Sequence, residues 1–248
     1  LFVIVIVDLK NIIRINKEFS QDDFYTFKNF PYFEIRDKEY TSKKFKSGLT
    51  ANFQVIQNAF ETIVDFEAGM NWLYNNLDST PEIALSAVYT DEVAVGKSSG
   101  GQGLSQLNFV LTAASAAPDD FWQRNYDIVN FSTRMIEAAK GMSEDVDQDL
   151  LALNVGQAHA IRAYAMFELL SYFSVDYSDD TGLGVIAIDY VPALDEQLPR
   201  NTVGETFTLI DNDISEALSN ITALVNDNTY FTLDAVNALK ARAATKSS

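Results

Sequence analysis

Cysteine is absent from the 248 residues, which excludes disulfides, thiolate metal sites and cysteine nucleophiles within this chain. A single histidine, His159, is present, so no His-pair metal site and no H-E-x-x-H zincin pattern can form. Positive charge is scarce: 18 Lys and Arg stand against 35 Asp and Glu, a net charge of −17. Nucleic-acid binding needs clustered Lys and Arg to neutralise phosphates, and that surplus is missing. The same balance disfavours electrostatic docking on anionic lipid. An acidic surface keeps a protein soluble without naming its partner. The opening apolar run, Leu1 to Val7, is too short to cross a bilayer. It also lacks the basic n-region and small-residue cleavage site of a signal peptide. It reads as a buried strand or the remnant of a longer leader, with the strand preferred.

What is present is enough apolar material, 47% of residues, to fill a sizeable core. Residues 1–45 interleave aromatic and basic side chains (Phe24, Tyr25, Phe27 and Phe30 among Lys28, Arg36 and Lys38). Stacking on single-stranded bases uses such interleaving, but the acidity favours an irregular segment laid over a core. From 46 to 248 the pattern is helical. Phe53, Ile56, Phe60, Ile63 and Val64 recur at spacings that predict a helix from Ala51 to about Leu77. Ser79-Thr80-Pro81 ends it, since proline cannot continue a helix. Gly96, Gly100, Gly101 and Gly103 predict an irregular exposed loop over 90–108, and binding residues often sit on such loops.

Helical spacing returns after Pro118, with Asp119 or Asp120 as cap and Gly141 as terminator. A second long helix is predicted from about Asp145 to Phe173, and its small residues (Gly156, Ala158, Ala160, Ala163, Ala165) permit close helix approach. The stretch 174–200 reads as loop. Thr202 and Glu205 have the spacing of a capping box, and Thr232 can cap a last helix from Leu233. Two successive helix pairs suggest TPR-like packing, although the standard TPR consensus is absent. The fold expected is mainly α, an α-α superhelix of helix pairs with long irregular loops. The chain stops inside the helical pattern Leu233 to Ala244 without a capping glycine, so the 46–248 domain is expected to be cut short at its C-terminal end.

Several constellations have bland explanations. Gly96-Lys97-Ser98 ends like a phosphate-binding loop, but Asp91 stands where that motif needs its first glycine. The pairs Asp91-Glu92 and Asp179-Asp180 lack the opposed placement of glycosidase carboxylates and match no calcium-loop pattern. No G-x-S-x-G elbow accompanies a serine, and His159 lies mid-helix, where packing or hydrogen bonding suits it better than catalysis. Arg162 is expected to bond a carboxylate or helix-end carbonyls. Trp122 and Tyr126 share one helix face and are assigned to packing. Tyr89, Asp91, Glu92 and Gln102, in and beside the glycine-rich loop, are the candidate ligand contacts.

Four motifs, in order, resemble the SusD/RagB family. Gly156-Gln157-Ala158-His159-Ala160-Ile161-Arg162-Ala163 through Leu169 is similar to that family's G-E-A-x-F-L-R-A-x-x-Y-F-x-L helix, with Gln157 in place of the usual Glu. Trp122, Tyr126, Ile128 and Asn130 resemble its W-x-x-x-Y-x-x-I-x-x-x-N helix, with Ile128 one residue early. Arg200-Asn201-Thr202-Val203, followed by Ile210, Asp213 and Ala217-Leu218, resembles its R-x-T-V…I-x-x-D-L-x-x-A segment, and Ala238 to Arg242 its A-L-K-A-R helix. Trp122, Tyr126, Asn130, Arg162, Arg200 and Arg242 are accordingly expected to be structural.

The resemblance implies a non-enzymatic, surface-exposed lipoprotein of the outer membrane that captures nutrient oligomers, glycans foremost. It would deliver them to a TonB-dependent, SusC-like transporter, with no cofactor or metal. Family members carry a signal peptide and a lipidated cysteine, and neither is in this chain; membrane attachment would come only through such an anchor. The loop lacks the tryptophans that stack on sugars in some members, which leaves a peptide ligand open. Two rivals remain: a cytosolic helical-repeat scaffold for protein partners, and an acidic glycoside hydrolase using Asp91 and Glu92.

Overall fold

The computed structural model describes residues 60–88, 115–193, 196–222 and 229–245, together with positions 90, 94, 96, 98 and 100. The chain divides into a unit of residues 1–56 and one of 57–248, and the described residues belong to the second. The N-terminal segment 1–45 lies outside them. Six helices are described: α1 (Ile63–Asn76), α2 (Thr80–Val88), α3 (Ala116–Ala139), α4 (Gln148–Phe173), α5 (Val203–Asn220) and α6 (Leu233–Ala244). The protein is mainly α and TPR-like: α3 packs on α4, α4 on α5 and α5 on α6, while α1 and α2 both pack on α3. Among the described residues no helix is long and apolar enough to cross a membrane.

Local chemistry sets the helix starts. Thr62 Oγ1 accepts from the Asp65 amide at 3.3 Å, and the Asp65 carboxylate takes the Thr62 amide at 2.8 Å. This capping box opens α1 at Ile63, so the run expected from Ala51 does not continue unbroken to Leu77; 51–59 lie outside the described residues. Asp78 accepts from both the amide (2.9 Å) and the hydroxyl (2.6 Å) of Thr80. Pro81 therefore both follows the end of one helix and sits in the first turn of the next.

Pro118 likewise sits in the first turn of α3, which starts at Ala116 and not after the proline as expected. A first-turn proline loses nothing, because its missing N–H would have no intrahelical acceptor. Asp119 is then inside the helix and accepts from the Gln123 side chain at 2.9 Å. Helix α4 begins at Gln148, a little after the expected start near Asp145, and Asp147 caps it, accepting from the Leu150 amide at 3.1 Å. The boxes at Thr202–Glu205 and the cap at Thr232 form as the sequence predicts.

Helix α4 is the axis of the fold. It packs most extensively on α5 and α3, and it also touches α1 and α6. Its middle is buried almost all round, from Gly156 to Ala163 and again from Ala165 to Leu170, as a helix at the centre of a core is. Gly156 is what lets α5 approach: a Cβ there would lie 2.8 Å from Asn220 Cβ and 3.1 Å from the Ile221 amide nitrogen.

Candidate functional site

The loop residues singled out for ligand contact, Tyr89, Asp91, Glu92 and Gln102, lie outside the described residues. The other singled-out side chains, Asn130 excepted, fall into three polar clusters around α4.

The first is fully buried. Arg162 grips Asp213 of α5 with two bonds, Nε to Oδ2 at 2.7 Å and Nη2 to Oδ1 at 2.6 Å. Its Nη1 reaches Thr133 Oγ1 on α3 at 3.1 Å. His159 Nδ1 lies 2.7 Å from Asp213 Oδ1; a carboxylate offers only acceptors, so this nitrogen carries the hydrogen. Asp213 is 1% exposed and Arg162 3%. Charges that deep persist only when paired and hydrogen-bonded, and here both carboxylate oxygens are used. The cluster ties α3, α4 and α5 together. Asn130, by contrast, stays on its own helix, accepting from Arg134 Nε at 2.7 Å; Thr133 is the α3 residue that meets Arg162, and sequence reading passed over it.

The second cluster holds the connector between α4 and α5. Arg200 donates to the Gly184 carbonyl and to the Phe173 carbonyl, both at 2.6 Å, pinning the two ends of the stretch. Tyr126 accepts from the Ile186 amide at 2.7 Å and donates to the Ile186 carbonyl at 3.1 Å. Burial pushes its phenol well above the ordinary tyrosine range. Trp122 packs on Tyr126 and, edge-on, on Phe173, with centroids 4.7 and 4.8 Å apart. A short ladder closes the stretch: Gly184 donates to Asn201 and Asn201 to Val185, both at 2.8 Å. A Cβ on Gly184 would fall 2.8 Å from the Thr202 carbonyl oxygen, so the approach requires glycine.

The third cluster anchors α6. Arg242 Nη1 donates to Glu168 Oε1 at 2.7 Å, and its guanidinium lies 4.8 Å from the centre of the Phe167 ring. Gln157 donates to the Phe231 carbonyl at 2.8 Å and accepts from the Tyr74 hydroxyl, which itself takes the Phe231 amide at 2.8 Å. Gln157 thus fixes the entry to α6 with both ends of its amide, a job for which one neutral donor–acceptor group is suited.

Beside this cluster lies a cavity of about 190 Å³. Leu77, Pro81, Phe121, Ile128 and Phe231 give it apolar walls, and Asp78, Glu82, Arg124, Tyr164 and Glu168 its charged and polar groups. Asp78 and Arg124 pair at 3.3 Å and are 42% and 40% exposed. Glu168 is 2% exposed, and its Oε2 has no hydrogen-bond partner among the described residues. Burial raises its carboxyl above the usual carboxylate range, Arg242 opposes that shift, and Glu82 adds to it. Burial likewise pushes the Tyr164 phenol up to about 12. Among the described residues no three His, Cys, Asp or Glu side chains converge to hold a metal ion.

Comparison with known proteins gives this framework a family. The SusD-like family, described as starch-binding and associating with the outer membrane, matches residues 48–244. No curated protein matches. Among solved structures, a candidate sugar-binding protein from Bacteroides vulgatus is 23% identical, with a TM-score of 0.64 over 76% of this chain and 43% of its own. A SusD superfamily protein from Bacteroides fragilis is 21% identical, with a TM-score of 0.65 over 75% of this chain and 46% of its own. A laminarin-binding SusD-like protein is 18% identical, with a TM-score of 0.56 over 75% of this chain and 40% of its own. The chain spans a little under half the length of these structures, and identities so low speak for the fold alone. The family match covers most of the chain in one continuous stretch, and by it the chain belongs to the SusD-like family.

Proposed function

We propose that this chain is the helical part of a surface-exposed outer-membrane protein that binds oligosaccharides and passes them to a TonB-dependent, SusC-like transporter. The observation that carries this reading is the family match across residues 48–244, and the shared fold of a laminarin-binding relative supports it. The described polar clusters suit a scaffold, because the charged groups of the Arg162 and Arg200 clusters are spent on holding helices and connector in place. Ligand capture then falls to loops carried by that scaffold, with Tyr89, Asp91, Glu92 and Gln102 as the contacts. A tyrosine ring packs against the apolar face of a sugar, and carboxylates and amides accept and donate to its hydroxyls. The protein carries out no chemistry on the bound glycan.

Calorimetric titration with malto-oligosaccharides and laminari-oligosaccharides tests this. Binding of at least one series is expected, weakened about tenfold or more by Tyr89→Ala, as loss of a stacking or hydrogen-bonding anchor worth ~1.4 kcal/mol would give. Binding of neither series, or release of shortened sugars that stops on Asp91→Asn with Glu92→Gln, overturns it.

A further inference from the structure

A cavity lies where α1, α2, α3 and α4 meet the entry to α6, and that proposal makes no use of it. Its lining comes from the helical framework and not from the 90–108 loop. At about 190 Å³ it is smaller than the roughly 300–1,000 Å³ of drug-sized sites, so it suits one small ring and not an extended chain. Glu168 Oε2 is closed off from water and Oε1 is taken by Arg242, so that carboxylate offers nothing to an occupant. The mouth is open: Asp78 and Arg124 are 42% and 40% exposed and are already paired, at 3.3 Å.

The groups that face an occupant are short, polar and mostly neutral. Tyr164 is half-buried, and its hydroxyl makes no hydrogen bond among the described residues. Asn125 spends its amide nitrogen on the Phe121 carbonyl at 2.9 Å and keeps Oδ1 as an acceptor. Ser79 adds an exposed hydroxyl at the mouth, and Glu82, which accepts from the Tyr172 hydroxyl at 3.3 Å, adds a second acceptor. Between these polar groups stand the apolar side chains of Leu77, Pro81, Ile128 and Phe231. An anion would meet Asp78 and Glu82 and find Arg124 engaged. A purely apolar ligand would leave the hydroxyl and amide groups unpaired, at a cost. A pyranose ring meets both kinds of surface: its C–H faces lie along the apolar walls, and its hydroxyls both donate and accept. We propose that this cavity is a second glycan contact, a subsite that takes one neutral pyranose ring and bonds its hydroxyls to Tyr164 and Asn125. The subsite takes its ligand class from the oligosaccharide reading above, but it shares no residue with the loop contacts.

The test is titration of the whole chain with methyl glycosides of glucose, galactose, mannose and xylose, and with cyclohexylmethanol as a ring without the ring hydroxyls. Glucosamine supplies a cation on the same kind of ring. At least one glycoside is expected to bind one to one, about tenfold or more tighter than cyclohexylmethanol, with glucosamine no tighter than the glycosides. Tyr164→Phe keeps the ring, removes the hydroxyl and is expected to weaken that binding about fivefold. Should this variant fail to fold, nuclear Overhauser contacts from the bound glycoside to the rings of Tyr164 and Phe231 in the unaltered chain supply the second readout. Failure of every glycoside, equal binding of cyclohexylmethanol, tighter binding of glucosamine, or binding that Tyr164→Phe leaves unchanged overturns the subsite. Glycosides that bind in this way while both oligosaccharide series fail would strike the loop contacts and leave the subsite standing.

Discussion

At the scale of single residues, position 156 shows how sharply packing can decide a side chain. Its missing Cβ leaves room for Asn220 and Ile221, and a methyl group there would sit 2.8 Å from Asn220 Cβ. Gly156→Ala is expected to destabilise by about 1–3 kcal/mol, the usual cost of forcing atoms into a filled space. Gly96, where a Cβ would meet none of the described residues within 4 Å, is the control, and Ala there should stay within about 0.5 kcal/mol. Urea midpoints for the two variants check this; equal shifts would mean that the α4–α5 spacing relaxes freely. The Arg162–Asp213 pair makes a different demand. Asp213→Leu leaves a guanidinium buried with its carboxylate gone and should cost about 3–5 kcal/mol. Arg162→Met added to it removes the stranded charge and should recover a good part of that loss. A double variant no more stable than Asp213→Leu alone would show that Thr133 and His159, not the charge, bear the penalty.

At the scale of elements, what could be read from the sequence was what neighbours in sequence determine. Thr202 and Glu205 are three apart, so their mutual capping needs no tertiary information, and the same holds for Thr232 and Leu233. The Thr62–Asp65 box was equally local, but the apolar spacing running through Phe53, Ile56 and Phe60 hid it. Pro118 misled for a related reason: its cost depends on where in the turn it falls, and periodicity alone does not say. The resemblance of four motifs identified Arg162, Arg200 and Arg242, but the residues they meet lie 51, 16 and 74 positions away. Glu168, Thr133 and Tyr74 carry no local signal for their roles. The caps can be tested directly. Thr202→Ala removes the acceptor for the Glu205 amide, bonded at 3.2 Å, and should cost about 1 kcal/mol. Thr202→Ser keeps the hydroxyl and should cost less in the same thermal unfolding experiment. A loss from Thr202→Ser as large as from Ala would place the effect in the packing of the threonine methyl.

At the scale of the whole molecule, the buried tyrosines couple the fold to alkaline pH. Tyr74, Tyr126 and Tyr164 sit on three different helices, and burial raises all three phenols, Tyr164 to about 12 from an ordinary 10.0. Tyrosine is neutral when protonated, so a raised value means the folded chain holds its proton where the unfolded chain has already released it. Folded molecules then bind more protons across that interval, and stability must fall as pH rises. The contribution is intact below about 10, where both states are protonated, and drains away between 10.0 and about 12 for Tyr164. Tyr74 and Tyr126 carry the decline further, and ionising either strands a charge: Tyr126 against the Ile186 carbonyl that closes the connector, Tyr74 beside Gln157 and the entry to α6. Urea midpoints measured from neutral pH to about 11 should therefore hold level and then drop steeply. Tyr164→Phe, which removes one titrating group at little cost in volume, should make the drop shallower. A midpoint that stays level through this range would mean that the phenols ionise in place, and that the three clusters around α4 yield to charge without letting the helices part.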